Sequence, residues 1–189
     1  MTGRANQRLR TRNAIVRAAV EVIRSGGEVT MPEVARAALV SEATAYRYFP
    51  DLASLFREAL GAELFTPAQA LASVAESTDP VERIAVATGH LLRHVLRYQT
   101  AVRAMISATI TRPDGQLTRP GLRFGLIDEA LAPLGDTPEL EQLRRGLTVV
   151  ISAEALFSLT DLYGLPPDEA IASLVSTAAL MTKACLDVH

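Results

Sequence analysis

Between Thr30 and Phe49 the chain sets hydroxyl and guanidinium groups at short intervals: Thr30, Ser41, Thr44, Tyr46, Arg47 and Tyr48, with Glu42 among them. Such groups donate to phosphate oxygens and to base edges; the phosphate contacts supply affinity and the base contacts supply sequence choice. Interleaved with them are Val34, Ala35, Ala38, Val40, Ala45 and Phe49, apolar positions spaced to hold two short helices at a fixed angle. Ser41, Glu42, Thr44 and Arg47 then fall at the start of the second helix, the end that enters a major groove, and Thr30, Thr44, Tyr46 and Tyr48 flank it as phosphate clamps. For Arg47 the alternative is a solvated surface position. For Tyr46 and Tyr48 it is core packing, and Tyr48 can do both.

The elements that must position these groups are legible in the turn and cap signals. Thr30 with Glu33 three residues on predicts a capping box, and Pro32 is tolerated in a first turn whose N–H groups have no intrahelical partner. That helix covers about Met31–Ala38. Ser41 caps a second, about Glu42–Phe49, which Pro50 stops; Asp51 caps another carrying Leu52, Leu55, Phe56, Ala59 and Leu60. In front, Ile15, Ala18, Ala19, Val22 and Ile23 predict a helix over about Asn13–Ser25, ended by Gly26-Gly27. Residues 1–10 read as a mobile, Arg-rich arm. Downstream the pattern lengthens: helices over about 79–98, 100–110, 121–134, 138–163 and 167–188, with a loop at 111–120 and a turn at 135–137. The expected fold is all-α, about nine or ten helices without strands. An N-terminal three-helix helix-turn-helix domain over 1–62 is followed by a helical bundle over 63–189.

Charge supports a contact at one end. The net charge of −2 hides eight Arg against four acids in residues 1–50, net +4, and 11 basic against 17 acidic groups beyond, net −6. A basic quarter on an acidic body suits a chain that touches a polyanion with that quarter only. Cys185 is the single cysteine, so a disulfide scaffold is excluded. The Arg-rich start lacks the apolar core of a signal peptide, and no run of about 20 uncharged apolar residues predicts a membrane helix. The cytoplasm is the expected compartment, with no membrane partner. No Gly-x-Ser-x-Gly, Gly-x-Gly-x-x-Gly or phosphate-loop signature occurs, so neither catalysis nor a cofactor is expected.

The segment V-T-M-P-E-V-A-R-A-A-L-V-S-E-A-T-A-Y-R-Y-F-P-D-L, residues 29–52, resembles the tetracycline-repressor (TetR) family, most specifically in Thr-x-Tyr-x-Tyr-Phe at Thr44–Phe49. The resemblance extends over about residues 10–62. It implies that Thr44, Tyr46 and Tyr48 sit at or near DNA phosphates, and that Glu42, Ala43 and Arg47 face base edges or the groove wall. Two positions depart from the family pattern. Leu39 stands where the family has Gly in the turn, so either it takes a positive φ at a cost of about 1 kcal/mol or the turn differs. Leu52 stands where a phosphate-contacting Lys is common, and Arg4, Arg8, Arg10 and Arg12 could compensate by reaching the minor groove or the backbone.

Beyond residue 62 the resemblance covers only layout. It implies a homodimer through the last two helices, whose candidate interface residues are Leu143, Leu147, Val150, Ile171, Leu174, Val175, Ala178, Met181 and Cys185; burial within one chain is the alternative. It also implies an unknown small-molecule effector, mostly apolar, in a pocket lined by His90, His94, Tyr98, Met105, Phe124, Glu154 and Phe157. Glu154, alone in the apolar run 148–160, must face solvent, a partner Arg or a ligand. His90 and His94 share a helix face without a third ligand, so no metal is expected. The implied partners are double-stranded operator DNA, a second copy and the effector. The implied mechanism is repression relieved when effector binding changes the angle of the helix that Asp51 caps. An activator of the same family, or a helical ligand-binding or adaptor dimer without DNA binding, is the alternative.

Overall fold

In the computed structural model of the chain, residues 2–25, 29–61, 63–111, 121–135 and 137–187 are described. Among them the fold is all-α, with α1 (Thr2–Arg24), α2 (Met31–Ala37), α3 (Glu42–Tyr48), α4 (Leu52–Gly61), α5 (Pro67–Ala70), α6 (Pro80–Arg97), α7 (Gln99–Thr111), α8 (Leu122–Leu131), α9 (Pro138–Val150), α10 (Ala153–Phe157) and α11 (Pro167–Leu186). The Gly26-Gly27 stop and the 112–120 stretch of the expected loop lie outside the described residues.

Three elements differ from the sequence reading. The expected arm is the first part of α1, which is helical from Thr2; its Ala, Gln, Leu and Arg are good helix formers, and a helix continues through them without needing burial. The short α5 was not foreseen, although Thr66 and Gln69 form a reciprocal capping box: Gln69 N–H donates to Thr66 Oγ1 (3.2 Å) and Thr66 N–H to Gln69 Oε1 (2.8 Å). The single helix expected over 138–163 is broken. Ile151 leaves helical geometry at ψ 65°, Ser152 caps α10 by accepting from Ala155 N–H (3.0 Å), and a π turn follows at Ser158–Leu162. The stiff β-branched run Thr148–Ile151 ends the first helix, and the Ser152 hydroxyl, also donating to Val149 O (2.7 Å), competes with the backbone there.

The chain forms two compact units. The first holds α1–α4 and α7, and Ile15, Ala19, Val34, Ala45, Phe49, Leu55 and Phe56 bury together with Tyr98, Ala101 and Met105 in one core. Helix α7 thus belongs to the first unit, whereas the sequence reading set it in the domain beginning at 63. Its apolar positions complete a core that α1–α4 leave open, and sequence order alone does not reveal this. The second unit holds α5, α6 and α8–α11, with α9 packed on α8 and α11. Ile84, Leu92, Leu126, Ile127, Leu131, Leu147 and Ile151 are fully buried there. Arg83 of α6 is also buried, 6% exposed. It donates to the carbonyls of Glu129 (2.7 Å), Ala130 (3.1 Å), Val74 (3.2 Å) and Ser77 (3.3 Å), tying α6 to the end of α8.

Candidate nucleic-acid interface

Helix α3 is held at both ends. At its start Ser41 Oγ accepts from Thr44 N–H (3.2 Å) and donates to Thr44 Oγ1 (2.9 Å), which caps a helix too short to be stable alone. At its end Arg12 of α1 donates through Nη1 to Tyr48 O (3.5 Å), lies 4.5 Å from the centre of the Phe49 ring, and forks onto Glu58 of α4, with Nε to Oε1 at 2.8 Å. Ala45 and Phe49 are buried beneath. Arg12, one of the four arginines considered for DNA from the sequence, thus has its guanidinium on three groups within the unit: Glu58, Tyr48 O and the Phe49 ring. Planar donors suit such a fork better than an ammonium would.

The turn between α2 and α3 closes as a Schellman motif. Leu39 N–H donates to Arg36 O (3.1 Å) and Val40 N–H to Ala35 O (2.9 Å), which requires a left-handed residue at Leu39. Leu39 supplies it, at φ 56°, with its side chain 93% exposed. Of the two alternatives left open by the sequence, the strained one is realised. Leu39→Gly should therefore raise stability by about 0.5–1 kcal/mol, since relief of strain outweighs the added freedom of the unfolded chain and no packing is lost. A urea midpoint at or below that of the unaltered protein would contradict the assignment of strain.

The expected DNA-facing residues divide by exposure. Glu42, Ala43 and Arg47 are exposed, as is Tyr46, while Thr44 and Tyr48 are half-buried. Tyr48 packs against the core, and the Arg47 guanidinium lies 5.7 Å from the centre of its ring. Thr30 caps α2, accepting from Glu33 N–H (3.3 Å); its hydroxyl donates to the Glu33 carboxylate (3.4 Å), in place of the carboxylate reaching back to the backbone as a capping box requires. Asp51 caps α4 as expected, accepting from Ser54 N–H (2.8 Å). Beside α3 runs an open groove of about 640 Å³, lined on one side by Gln7, Arg8 and Thr11 of α1 and on the other by Val40, Ser41, Thr44, Arg47 and Tyr48. Among the described residues two arginines and no carboxylate line it. Of this α1 wall the sequence reading considered only Arg8 for DNA; Gln7 and Thr11 join it because residues 2–12 are helical.

At the other end of the same unit Glu63 Oε2 accepts from Arg24 (2.6 Å) and from the Tyr98 hydroxyl (2.8 Å), joining the end of α1 to the residue that precedes α7. The Glu63 hydrogen bond and charge hold the Arg24 guanidinium above its ordinary range.

The candidate effector-pocket residues divide between the two units. Tyr98 and Met105 lie in the core of the first unit; His90, His94, Phe124, Glu154 and Phe157 belong to the second. Within the second unit His90 and His94 flank Phe65 edge-on, at 4.4 and 5.1 Å between ring centres, and partial burial lowers the His90 pKa, with help from Arg93. Glu154 faces a partner Arg, with Arg123 Nη1 at 3.7 Å from Oε2, and the Arg123 guanidinium lies 5.1 Å from the centre of the Phe124 ring. Phe65 and Arg123 were missed because neither stands out from its neighbours in sequence.

The expected dimer residues divide in the same way. Leu143, Leu147, Ile171, Leu174 and Ala178 are already buried within the chain, where α9 packs on α11; Val150, Val175, Met181 and Cys185 are half-buried. Each helix turns its most apolar stripe to the other, so the stripe cannot report a second chain. The side chains left outward are others, Val149 and Leu180 among them. Helix α11 is long and apolar enough to span a bilayer by length and composition alone, yet only 28% of its most apolar stretch is buried.

Residues 15–59 match the family model of bacterial regulatory proteins of the tetR family. The fold is similar to the crystal structure of a TetR transcriptional regulator from Rhodococcus sp. RHA1, which is 22% identical, with 92% of this chain and 96% of that one aligned at a TM-score of 0.56. No curated protein matches the sequence.

Proposed function

We propose that this chain, a member of the TetR family of bacterial regulatory proteins, is a ligand-responsive repressor that binds a palindromic operator as a homodimer. One observation carries the reading: a capped recognition helix whose outer face, the polar Glu42, Tyr46 and Arg47 with Ala43, is exposed while Ala45 and Phe49 anchor it from below. A rigid helix with an exposed polar face and hydroxyls at its start is what a major groove accepts. The test is retardation of the duplex immediately upstream of the chain's own coding sequence. Specific, salt-sensitive retention is expected; no retention of any fragment by folded protein would leave the adaptor reading, which the exposed Leu39 side chain favours.

A homodimer follows from the same need, because two recognition helices about 34–36 Å apart fit a two-fold operator. The poorly buried apolar length of α11 supports it, since such a surface is covered in a stable particle. Replacing Val149 and Leu180 together with Glu should give a folded monomer by sedimentation, with operator affinity strongly reduced. A double variant that stays dimeric would remove these residues from the interface. The effector, in this reading, is a small, mostly apolar molecule held in the second unit near Phe124, Glu154 and Phe157, where Arg123 adds a cation. It acts by shifting the population of headpiece positions that match the half-sites. The compartment is the cytoplasm.

A further inference from the structure

The groove beside α3 has a second wall that the helix-turn-helix does not supply. Helix α1 is unbroken from Thr2, so Gln7, Arg8 and Thr11 stand across from Ser41, Thr44 and Arg47. The four arginines considered for DNA contact from sequence are not equivalent here. Arg12 is spent on Glu58, Tyr48 O and the Phe49 ring. Thr11 donates its hydroxyl to Gln7 O (3.1 Å). Gln7 and Arg8 are exposed, and among the described residues their side chains have no hydrogen-bond or ion-pair partner. The first turn of α4, Leu52-Ala53-Ser54, offers no cation of its own.

We infer that this groove seats one phosphodiester strand of the duplex, with Arg8 and Gln7 gripping the backbone from α1 while α3 reads the bases. The inference rests on the DNA-binding reading above and deepens it by naming a contact outside the recognition helix. The chemistry selects the occupant. A lining with two guanidiniums, hydroxyls and an amide, and without a carboxylate, suits an anion. The groove is open to solvent, so a phosphate backbone can reach its lining, and the basic balance of residues 1–50 adds a field of the right sign. Arg8 and Gln7 position the duplex and carry no base information.

The test uses the full chain and a duplex selected from a random pool on that chain, with affinity followed by fluorescence anisotropy across a salt series. Arg8→Ala should make the slope of log affinity against log salt shallower by about 0.9 for each side chain lost, with a several-fold loss of affinity at low salt and base preference unchanged. Arg8→Gln should behave alike. Arg17→Ala, exposed on α1 outside the groove, controls for general charge and should change the slope far less. Phosphate ethylation interference should lose the same backbone position in both Arg8 variants. Equal slopes for Arg8→Ala and Arg17→Ala, with an unchanged interference pattern, would overturn the inference while leaving the DNA-binding reading intact. Failure of the unaltered chain to select any duplex would sink that reading, and the strand contact with it.

Discussion

Arg83→Met should lower the stability of the second unit by about 3–5 kcal/mol. The side chain is 6% exposed and satisfies four carbonyls: two at the end of α8 (Glu129 and Ala130), and those of Val74 and Ser77 ahead of α6. Methionine fills a similar volume but donates nothing, so the buried Ala130 carbonyl loses this donor while Val74 O keeps only Ser77 N–H, and an uncompensated buried group costs about 1–3 kcal/mol. Lysine keeps the charge and lacks the fork, so Arg83→Lys should fall between the two. Urea unfolding followed by circular dichroism measures the difference. A methionine variant within about 1 kcal/mol of the unaltered protein would mean that water reaches those carbonyls readily. Because α8 also packs on α9, the loss should spread through the unit.

The second large effect is on DNA. Arg47→Ala should weaken operator binding by about 1–3 kcal/mol in each half-site, and hence by twice that in a dimer. Arg47 is exposed on α3, and its place over the Tyr48 ring limits the rotamer freedom lost on binding. The form of the loss identifies the contact. Relaxed preference at one base pair assigns Arg47 to a base edge, whereas a uniform loss with a salt slope shallower by about 0.9 per side chain assigns it to a phosphate. Unchanged affinity would make Arg47 a solvated surface residue. Arg12 offers an instructive contrast. Its removal should also weaken binding, but indirectly, by loosening the end of α3 from α4, and should leave base preference alone.

The sequence by itself determined the helix-turn-helix. Its signals are local: Thr30, Ser41 and Asp51 each cap the helix that follows, as expected. Ala45, Phe49, Val34 and Ala35 are buried at the spacing that demands it. The strain at Leu39 was one of two alternatives that the resemblance left open, and the structure realises it.

What only the tertiary structure decided depends on contacts between residues distant in the chain. Whether α7 completes the first core or joins the second unit is a matter of which surface is left uncovered, and no periodicity within α7 reports it. The apolar stripes of α9 and α11 satisfy each other, so their pattern is the same whether or not another copy is present. The fate of an arginine is likewise a question of distance. Arg8, Arg12 and Arg83 look alike in sequence, yet one faces an open groove, one is locked to a carboxylate and a carbonyl, and one is buried among backbone oxygens. A guanidinium takes whatever acceptors the fold brings within reach, and a linear sequence does not contain those distances.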